Sequence, residues 1–503
     1  MDIQQSFILA VDQGTSSTKT LIFDENGQVV ARASEPLKTH YYGDGYVEQE
    51  PEEIYRNVLT SVGKCIGGFA AAGGNPHHIS VAGISNQRET FVVWNKAGEP
   101  LYNAVVWQCK RSIDVCERLK AQGHEALIRE KTGLFIDPYF SGTKLIWLAE
   151  NVASVQQAIQ SGNAYFGTID TWLLYRLTNG ACYFTDYTNA SRTLFFNLKT
   201  LLWDTELLEL FGLSGLNLPE PKPSSAFFGE STFNGLFDHT VQLTAMIGDS
   251  HAAAFGEGCF SSGTAKATLG TGCSIIMNVG DRLTESQYGM VSTICWSTEE
   301  RPGRRSVDYA LEGVIVSCGA TIEWLKNSLG LFANSRDTEA MATAVSDNGG
   351  VYIIPAFSGL GAPHWQMARK ASISGLTFGT AKNHLARAAL ESISYQIKDV
   401  IVAMEKDTGI PLAELMVNGG ISSNQFVLQF LADLLQKPVV NKGMPDVSAQ
   451  GAAYLAGLKA GIYTDLAHLQ RLEAGKAIIQ PNPNNALVMQ SYEGWLNAIA
   501  TNQ

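Results

Sequence analysis

The chain has 503 residues, 48 of them glycine, a formal net charge of −12 and 45% hydrophobic residues. That length exceeds one ordinary core and calls for two units of about 250 residues each, and the glycines point to tight turns or backbone held close to a ligand. The acidic balance argues against a general nucleic-acid or anionic-membrane binder, and no apolar run reaches the ~18 residues of a membrane helix. Met-Asp-Ile-Gln-Gln lacks the basic-then-apolar pattern of a secretory leader. Eight scattered cysteines without a C-x-x-C pair read as reduced thiols of a cytoplasmic protein. His77 and His78 are adjacent, which suits no single metal ion, and His124-Glu125 lacks the second histidine of a zinc helix, so no structural metal is expected.

The chain opens with apolar runs at 6–12 and 18–23, a turn at Asp24-Glu25-Asn26-Gly27 and a third run at 28–34, which predict consecutive antiparallel strands. A helix is predicted over 52–67 and a short strand over 79–84, running into Asn86-Gln87-Arg88-Glu89. A strand over 243–247 ends at Gly248-Asp249. The opening style then returns: 265–269 leads through Gly270-Thr271-Gly272 into 274–279, as if the chain were built from two related halves. Helical periodicity covers 313–329 and 384–407, strands are predicted at 350–355 and 415–418, and a helix follows Asn424. The alanine-rich stretch 451–458 suits close helix packing. The expected division is into residues 1–252 and 253–503.

Three Gly turns follow apolar strands: Gln13-Gly14-Thr15-Ser16-Ser17, Gly270-Thr271-Gly272 and Gly419-Gly420. Each alone reads as a plain structural turn. The first offers backbone N–H groups and three hydroxyls to an anion, with Asp12 able to hold Mg²⁺ directly or through water. No G-x-x-x-x-G-K-[ST] loop occurs, which removes the commonest nucleotide folds. Together the turns match the actin-like ATPases, an α/β class in which two ribonuclease H-like domains clamp ATP in a central cleft. Arg88 and Glu89 would give a hydroxyl-rich substrate both donors and acceptors, or would form a surface ion pair. Trp107 and Tyr139 stand in polar surroundings where an aromatic ring can wall a sugar pocket or simply pack. Asp249, at a strand's end, is placed either as a general base or as a helix cap.

Long segments, among them VDQGTSSTK (11–19), SNQRET (85–90), YNAVVWQCKR (102–111), TDYTNASRT (185–193), YALEGVIVSCGATIEWL (309–325) and VYIIPAFSGLGAPHW (351–365), resemble the FGGY carbohydrate kinases, and within them the members that phosphorylate glycerol. The resemblance implies an ATP-dependent kinase acting on a terminal hydroxyl of glycerol or a related short polyol, with ATP and Mg²⁺. It implies Asp249 as catalytic base, and Asp12 and Asp249 as the acids around the metal. Arg88, Glu89, Trp107, Tyr139, Asp249, Ser250 and Ser274 fall at polyol positions. Thr15, Ser16, Ser17, Lys19, Thr271, Gly319, Glu323, Gly420 and Asn424 fall at nucleotide positions. A dimer or tetramer of identical chains is also implied, with no nucleic-acid partner and no membrane insertion.

Departures from the family pattern cluster in the pocket. Glycerol-phosphorylating members usually read Gly-Asp-Gln-Gln-Ala-Ala where this chain has Gly248-Asp249-Ser250-His251-Ala252-Ala253, and carry Phe where this chain has Ser274. Both changes remove bulk, leaving room for a four-carbon polyol or for water. On the nucleotide side, Lys19 stands where arginine is common, Glu323 where glutamine often meets the adenine side, and Asn418 where Asp usually opens the Gly-Gly turn. An ATP-binding chaperone or filament, or a polyol sensor without turnover, shares the fold; the Arg88, Glu89, Trp107 and Tyr139 set argues for a small-molecule acceptor.

Overall fold

The structure is a computed structural model that describes residues 6–301, 304–472, 477–484 and 486–501. Its backbone is one thirteen-stranded sheet. Numbered within that sheet, the strands are β1 (Phe7–Gln13), β2 (Ser17–Phe23), β3 (Val29–Pro36), β4 (Ile79–Asn86), β5 (Ser225–Ser231), β6 (Val241–Gly248), β7 (Thr264–Leu269), β8 (Cys273–Gly280), β9 (Val291–Arg301), β10 (Arg304–Ile315), β11 (Glu414–Asn418), β12 (Val439–Asn441) and β13 (Ala477–Ile479). Their order is β13-β12-β11-β7-β8-β10-β9-β5-β6-β4-β1-β2-β3.

Two copies of one pattern lie in that order. In the first half β3, β2 and β1 are antiparallel, β1 continues parallel into β4 and β6, and β5 closes antiparallel. In the second half β10, β8 and β7 are antiparallel, β7 continues parallel into β11 and β12, and β13 closes antiparallel. The duplication expected from the two strand–turn–strand openings is therefore real at the level of topology. Strand β9 joins the halves. It pairs along its length with β10 but meets β5 through a single registered pair, Ser225 with Thr298.

The parallel strands are apolar on both faces because helices cover them. On the first half lies α1 (Pro51–Ala71), entered through Pro51 and the acidic pair Glu52 and Glu53, which suit the positive end of a helix dipole. At the junction lie α2 (Asp249–Gly256) and, far along the chain, α6 (Val447–Ala460). The second half carries α3 (Gly319–Asn327), α4 (Lys382–Thr408) and α5 (Gln425–Leu435). A separate six-stranded sheet, built from segments between 40 and 217, packs with its own apolar core beside the first half.

The run 313–329 departs from the helix expected there. Residues up to Ile315 complete β10, and the helix spans only Gly319–Asn327. The ladder of Gly313, Val314 and Ile315 with Ile275, Ser274 and Cys273 of β8 overrides the helical spacing there, since it satisfies backbone groups.

Alanine and glycine in α6 allow contacts between backbones. Ala449, Ala452, Ala453 and Ala456 are buried in the same core as Ile8 and Ala10 of β1 and Ala252 and Ala254 of α2. A Cβ on Gly451 would stand 1.9 Å from the Ala252 carbonyl oxygen, and one on Gly256 would stand 2.3 Å from that of Val447. Neither obstacle is a side chain able to turn aside. Gly451→Val should therefore force α2 and α6 apart and lower stability by at least about 3 kcal/mol, measured as a lowered midpoint of urea denaturation.

Candidate active site

The carboxyl ends of β1, β4 and β6 lie side by side, because these strands are parallel neighbours. This end of an open α/β sheet is where ligands are held. It carries Asp12, the Gly14–Ser16 turn, Asn86 through Glu89, and Gly248-Asp249.

Thr15 is fixed from two sides. Its hydroxyl accepts the Trp107 indole N–H at 2.9 Å, and its carbonyl accepts Gln49 Nε2 at 2.8 Å. The Ser16 carbonyl accepts the Leu37 N–H at 2.9 Å while its side chain stays exposed. Ser17 opens β2, and Lys19, further along it, donates to Asp446 at 2.8 Å, an ion pair between the two ends of the chain. Trp107 thus links the Gly14–Ser16 turn to Tyr139, at the expected substrate pocket. There its ring meets that of Tyr139 edge-on at 5.6 Å. Lys144 sets both aromatics by donating to the carbonyls of Pro138 at 2.9 Å, Tyr139 at 2.7 Å and Trp107 at 3.4 Å. Burial pulls its ammonium down to about 8.

Arg88 and Glu89 are buried and do not pair with each other, so the surface ion pair is excluded. Arg88 grips Glu312 with both terminal nitrogens, at 2.8 and 3.1 Å, and its Nε lies 3.6 Å from Asp249. Glu89 accepts from Arg192 Nε at 2.6 Å, and Arg192 also ion-pairs with Glu312 at 2.8 Å. Two arginines and two glutamates therefore alternate in one buried cluster. Burial works against the charge of Glu312, yet Arg192 and Arg88 overcome it and hold its carboxyl far below the usual range. Burial raises Glu89, with both arginines opposing. Glu89 has φ +59°, a left-handed conformation that glutamate rarely adopts, held by the Ser141 hydroxyl donating to its carbonyl.

Asp249 begins α2 and accepts the Ser250 N–H at 2.6 Å, with 37% of its side chain open to the cleft. Burial raises its carboxyl, opposed by Arg88. Asp12 accepts from the Ser85 hydroxyl and is pushed up to about 6, first by burial and further by the charge of Asp249. Two carboxylates that disfavour each other's charge form the all-oxygen donor set that suits Mg²⁺.

Ser274 donates from Oγ to Glu312 Oε1 at 3.2 Å, so it is tied to the arginine cluster. Ser250 stands half-buried beside Asp249. His251 is fully buried, and among the described residues neither of its ring nitrogens finds a hydrogen-bond partner. Burial, with Arg88 adding to it, holds the ring neutral.

In the second half, Thr271, Gly319, Glu323, Gly420 and Asn424 all line one cavity of about 1240 Å³. Gly319 has to be glycine, since a Cβ there would meet the Gly270 carbonyl oxygen at 2.7 Å. Gly419 is at φ +92°, and a Cβ there would likewise stand 2.6 Å from the Leu269 carbonyl oxygen. Asn424 also serves the fold, because its side chain accepts the Val427 N–H at 3.1 Å and caps α5. Glu323 is exposed, accepts from the Ser335 hydroxyl at 2.6 Å and pairs with Lys326.

Sequence reasoning passed over Glu312, Arg192, Lys144 and His251. Glu312 had a signal, a lone acid in the apolar run YALEGVIV, which the helical reading of the adjoining 313–329 obscured. Arg192 lies in a segment, TDYTNASRT, that shows no periodicity to interpret.

Two halves of one topology, with acids and glycine turns at the facing strand ends, define an actin-like ATPase-type fold. Models of the N-terminal and C-terminal domains of the FGGY family of carbohydrate kinases match residues 7–256 and 265–460. The chain belongs to that family. It is 45% identical over 496 residues to a glycerol kinase of Carboxydothermus hydrogenoformans, covering 98% of each chain. It is 43% identical to glycerol kinase 2 of Thermotoga maritima, again covering 98% of each. The structure of Plasmodium falciparum glycerol kinase with ADP superposes with a TM-score of 0.93 at 32% identity, over 99% of this chain and 98% of that one.

Replacing Glu312 by Gln leaves Arg88 and Arg192 charged and buried without their shared partner. Glu312→Gln should cost about 3–5 kcal/mol, read from urea denaturation of the ligand-free protein.

Proposed function

We propose that the chain is an ATP-dependent kinase that phosphorylates a terminal hydroxyl of glycerol or a closely related short polyol. Full-length similarity to proteins named glycerol kinase supports the reaction class. The observation that carries the chemistry is Asp249: a carboxylate at the open end of β6, beside Asp12, with Arg88 behind it.

In this reading the polyol lies against Trp107 and Tyr139, with Arg88, Glu89, Ser250 and Ser274 meeting its hydroxyls. Asp249 takes the proton of the attacking hydroxyl as the new oxygen–phosphorus bond forms and the bond from the γ-phosphorus to ADP breaks. Burial makes Asp249 a better proton acceptor than a free aspartate, and Arg88 keeps it from being protonated beforehand. Thr15, Ser16, Ser17 and Lys19 hold phosphate oxygens, while Thr271, Gly319, Glu323, Gly420 and Asn424 hold the rest of the nucleotide. Asp12 and Asp249 would hold Mg²⁺, which when bound neutralises charge on the phosphates. Residues 1–252 then form the polyol and phosphate domain, and 253–503 the nucleotide domain. A cytoplasmic homo-oligomer completes the reading; no helix among the described residues is long and apolar enough to cross a membrane.

Asp249→Asn should lower kcat for glycerol-dependent ADP release by at least about a thousandfold, with ATP affinity within a few-fold of the parent. Near-parental turnover would remove Asp249 as the base.

A second reading, a kinase for a larger acceptor such as a tetritol, is favoured by the small, hydroxylated pair Ser250 and Ser274 and by the Ser274–Glu312 hydrogen bond. Ser274→Phe should then raise the ratio of glycerol to tetritol kcat/KM by about tenfold or more, as loss of space for one carbon does. An unchanged ratio would exclude the enlarged pocket.

A further inference from the structure

At the amino ends of β4 and β6, opposite the kinase site, three side chains converge that the proposed reaction does not use. His77 lies in the single turn Pro76–His78 just before β4, and Asp238 and His239 just before β6. The 160 residues between them vanish in the fold, because β4 and β6 are parallel neighbours and begin side by side.

The Asp238 carboxylate faces an imidazole through each of its oxygens. His239 Nδ1 is 3.1 Å from Oδ1, and His77 Nε2 is 3.2 Å from Oδ2. His239 Nε2 is 3.0 Å from the Ile79 carbonyl oxygen. A carbonyl oxygen only accepts, so Nε2 carries the proton, and in a neutral ring Nδ1 is a lone pair aimed at a carboxylate oxygen. Two acceptors in contact require a cation, either a second ring proton or a metal ion. A ring N–H given to a backbone carbonyl is also how metal-ligating histidines are oriented. Phe237 holds the ring further, edge-on at 5.3 Å.

We propose that His77, Asp238 and His239 form a binding site for a divalent first-row transition ion of the zinc class. One ligand atom from each residue lies within 4.8 Å of the other two. Each imidazole nitrogen lies close to the edge of about 3.3–3.4 Å between neighbouring ligands on a tetrahedral ion with 2.0–2.1 Å bonds, though against opposite oxygens of the carboxylate, at 3.1 and 3.2 Å. The rings of His77 and His239 are stacked at 5.2 Å with 24° between planes, so binding requires the largely exposed His77 ring to turn until both lone pairs converge on the ion. Two imidazoles and one carboxylate select zinc, nickel, cobalt or copper over Mg²⁺, and solvent supplies the fourth ligand. The site stands roughly 23 Å, the length of β4, from Asn86 and the catalytic end. It is separate from the Mg²⁺ acids and stands whether or not the proposed reaction is correct.

The test uses full-length protein without a histidine tag, freed of metal by chelation and titrated with Co²⁺, followed by calorimetry and visible absorption. One Co²⁺ per chain is expected, displaced by Zn²⁺, with affinity reduced at least tenfold in His77→Ala, Asp238→Asn and His239→Ala. Because His77 is exposed on a turn, His77→Ala keeps the test valid if the His239 variant fails to fold. Kinase turnover with Mg²⁺ should be unchanged in His77→Ala. Absence of saturable Co²⁺ binding, or affinity unchanged in His77→Ala, overturns the site.

Discussion

The Glu312 carboxylate between Arg88 and Arg192 is the constraint on which the candidate site depends. Glu312 belongs to the second half, while both arginines belong to the first. A buried ion cluster of this kind contributes little net stability against an apolar replacement, because desolvation offsets most of the attraction. Its value is geometric. The bidentate Arg88–Glu312 pair has one good orientation, and that orientation sets Arg88 Nε near Asp249 and leaves Glu89 to Arg192. Seating both halves correctly is therefore a condition for forming this cluster at all.

Much of this architecture is legible from local pattern. The antiparallel opening follows from alternating apolar runs and the turn at Asp24–Gly27, and Gly248-Asp249 does end a strand. The glycine turns at 270 and 419 also read correctly as tight places, since backbone presses on backbone there. What stayed hidden depends on distance along the chain. Arg88 meets an acid 224 residues away, and Lys19 one 427 residues away. The adjacent pair Arg88-Glu89 invites a local pairing that the fold rejects, because the positive φ at Glu89 turns the two side chains to different partners. Reasoning from spacing likewise weighs His77 only against its neighbour His78, whereas the fold brings it to Asp238 and His239.

The two substrate regions are built by different means. The cavity of the second half is lined by the glycine turns at 270 and 420 together with polar side chains such as Glu323, Arg336, Glu339 and Asn424. The acceptor region is all side chain: aromatics pinned by Lys144, and charges locked in one cluster. On the proposed reading, Ser250 and Ser274 are positions where single substitutions would reshape the choice among small polyols.

The meeting of β5 and β9 through Ser225 and Thr298 alone gives the sheet a line of compliance. Elsewhere adjacent strands are knitted by ladders that must twist as a body, but across this seam one backbone rung stands beside the hydrogen bond from the Ser224 N–H to the Ser297 hydroxyl. Small changes of angle there become large displacements at the strand ends, where the acids and glycine turns face each other. Beside that seam α2 and α6 meet backbone to backbone at Gly451 and Gly256 and are tied by the Ser448 hydroxyl donating to the Asp249 carbonyl. One apolar core nevertheless spans the seam, with Ile8 and Ala245 of the first half beside Ile276 and Met416 of the second, so any turning of the halves has to carry that core and the Arg88–Glu312 pair with it.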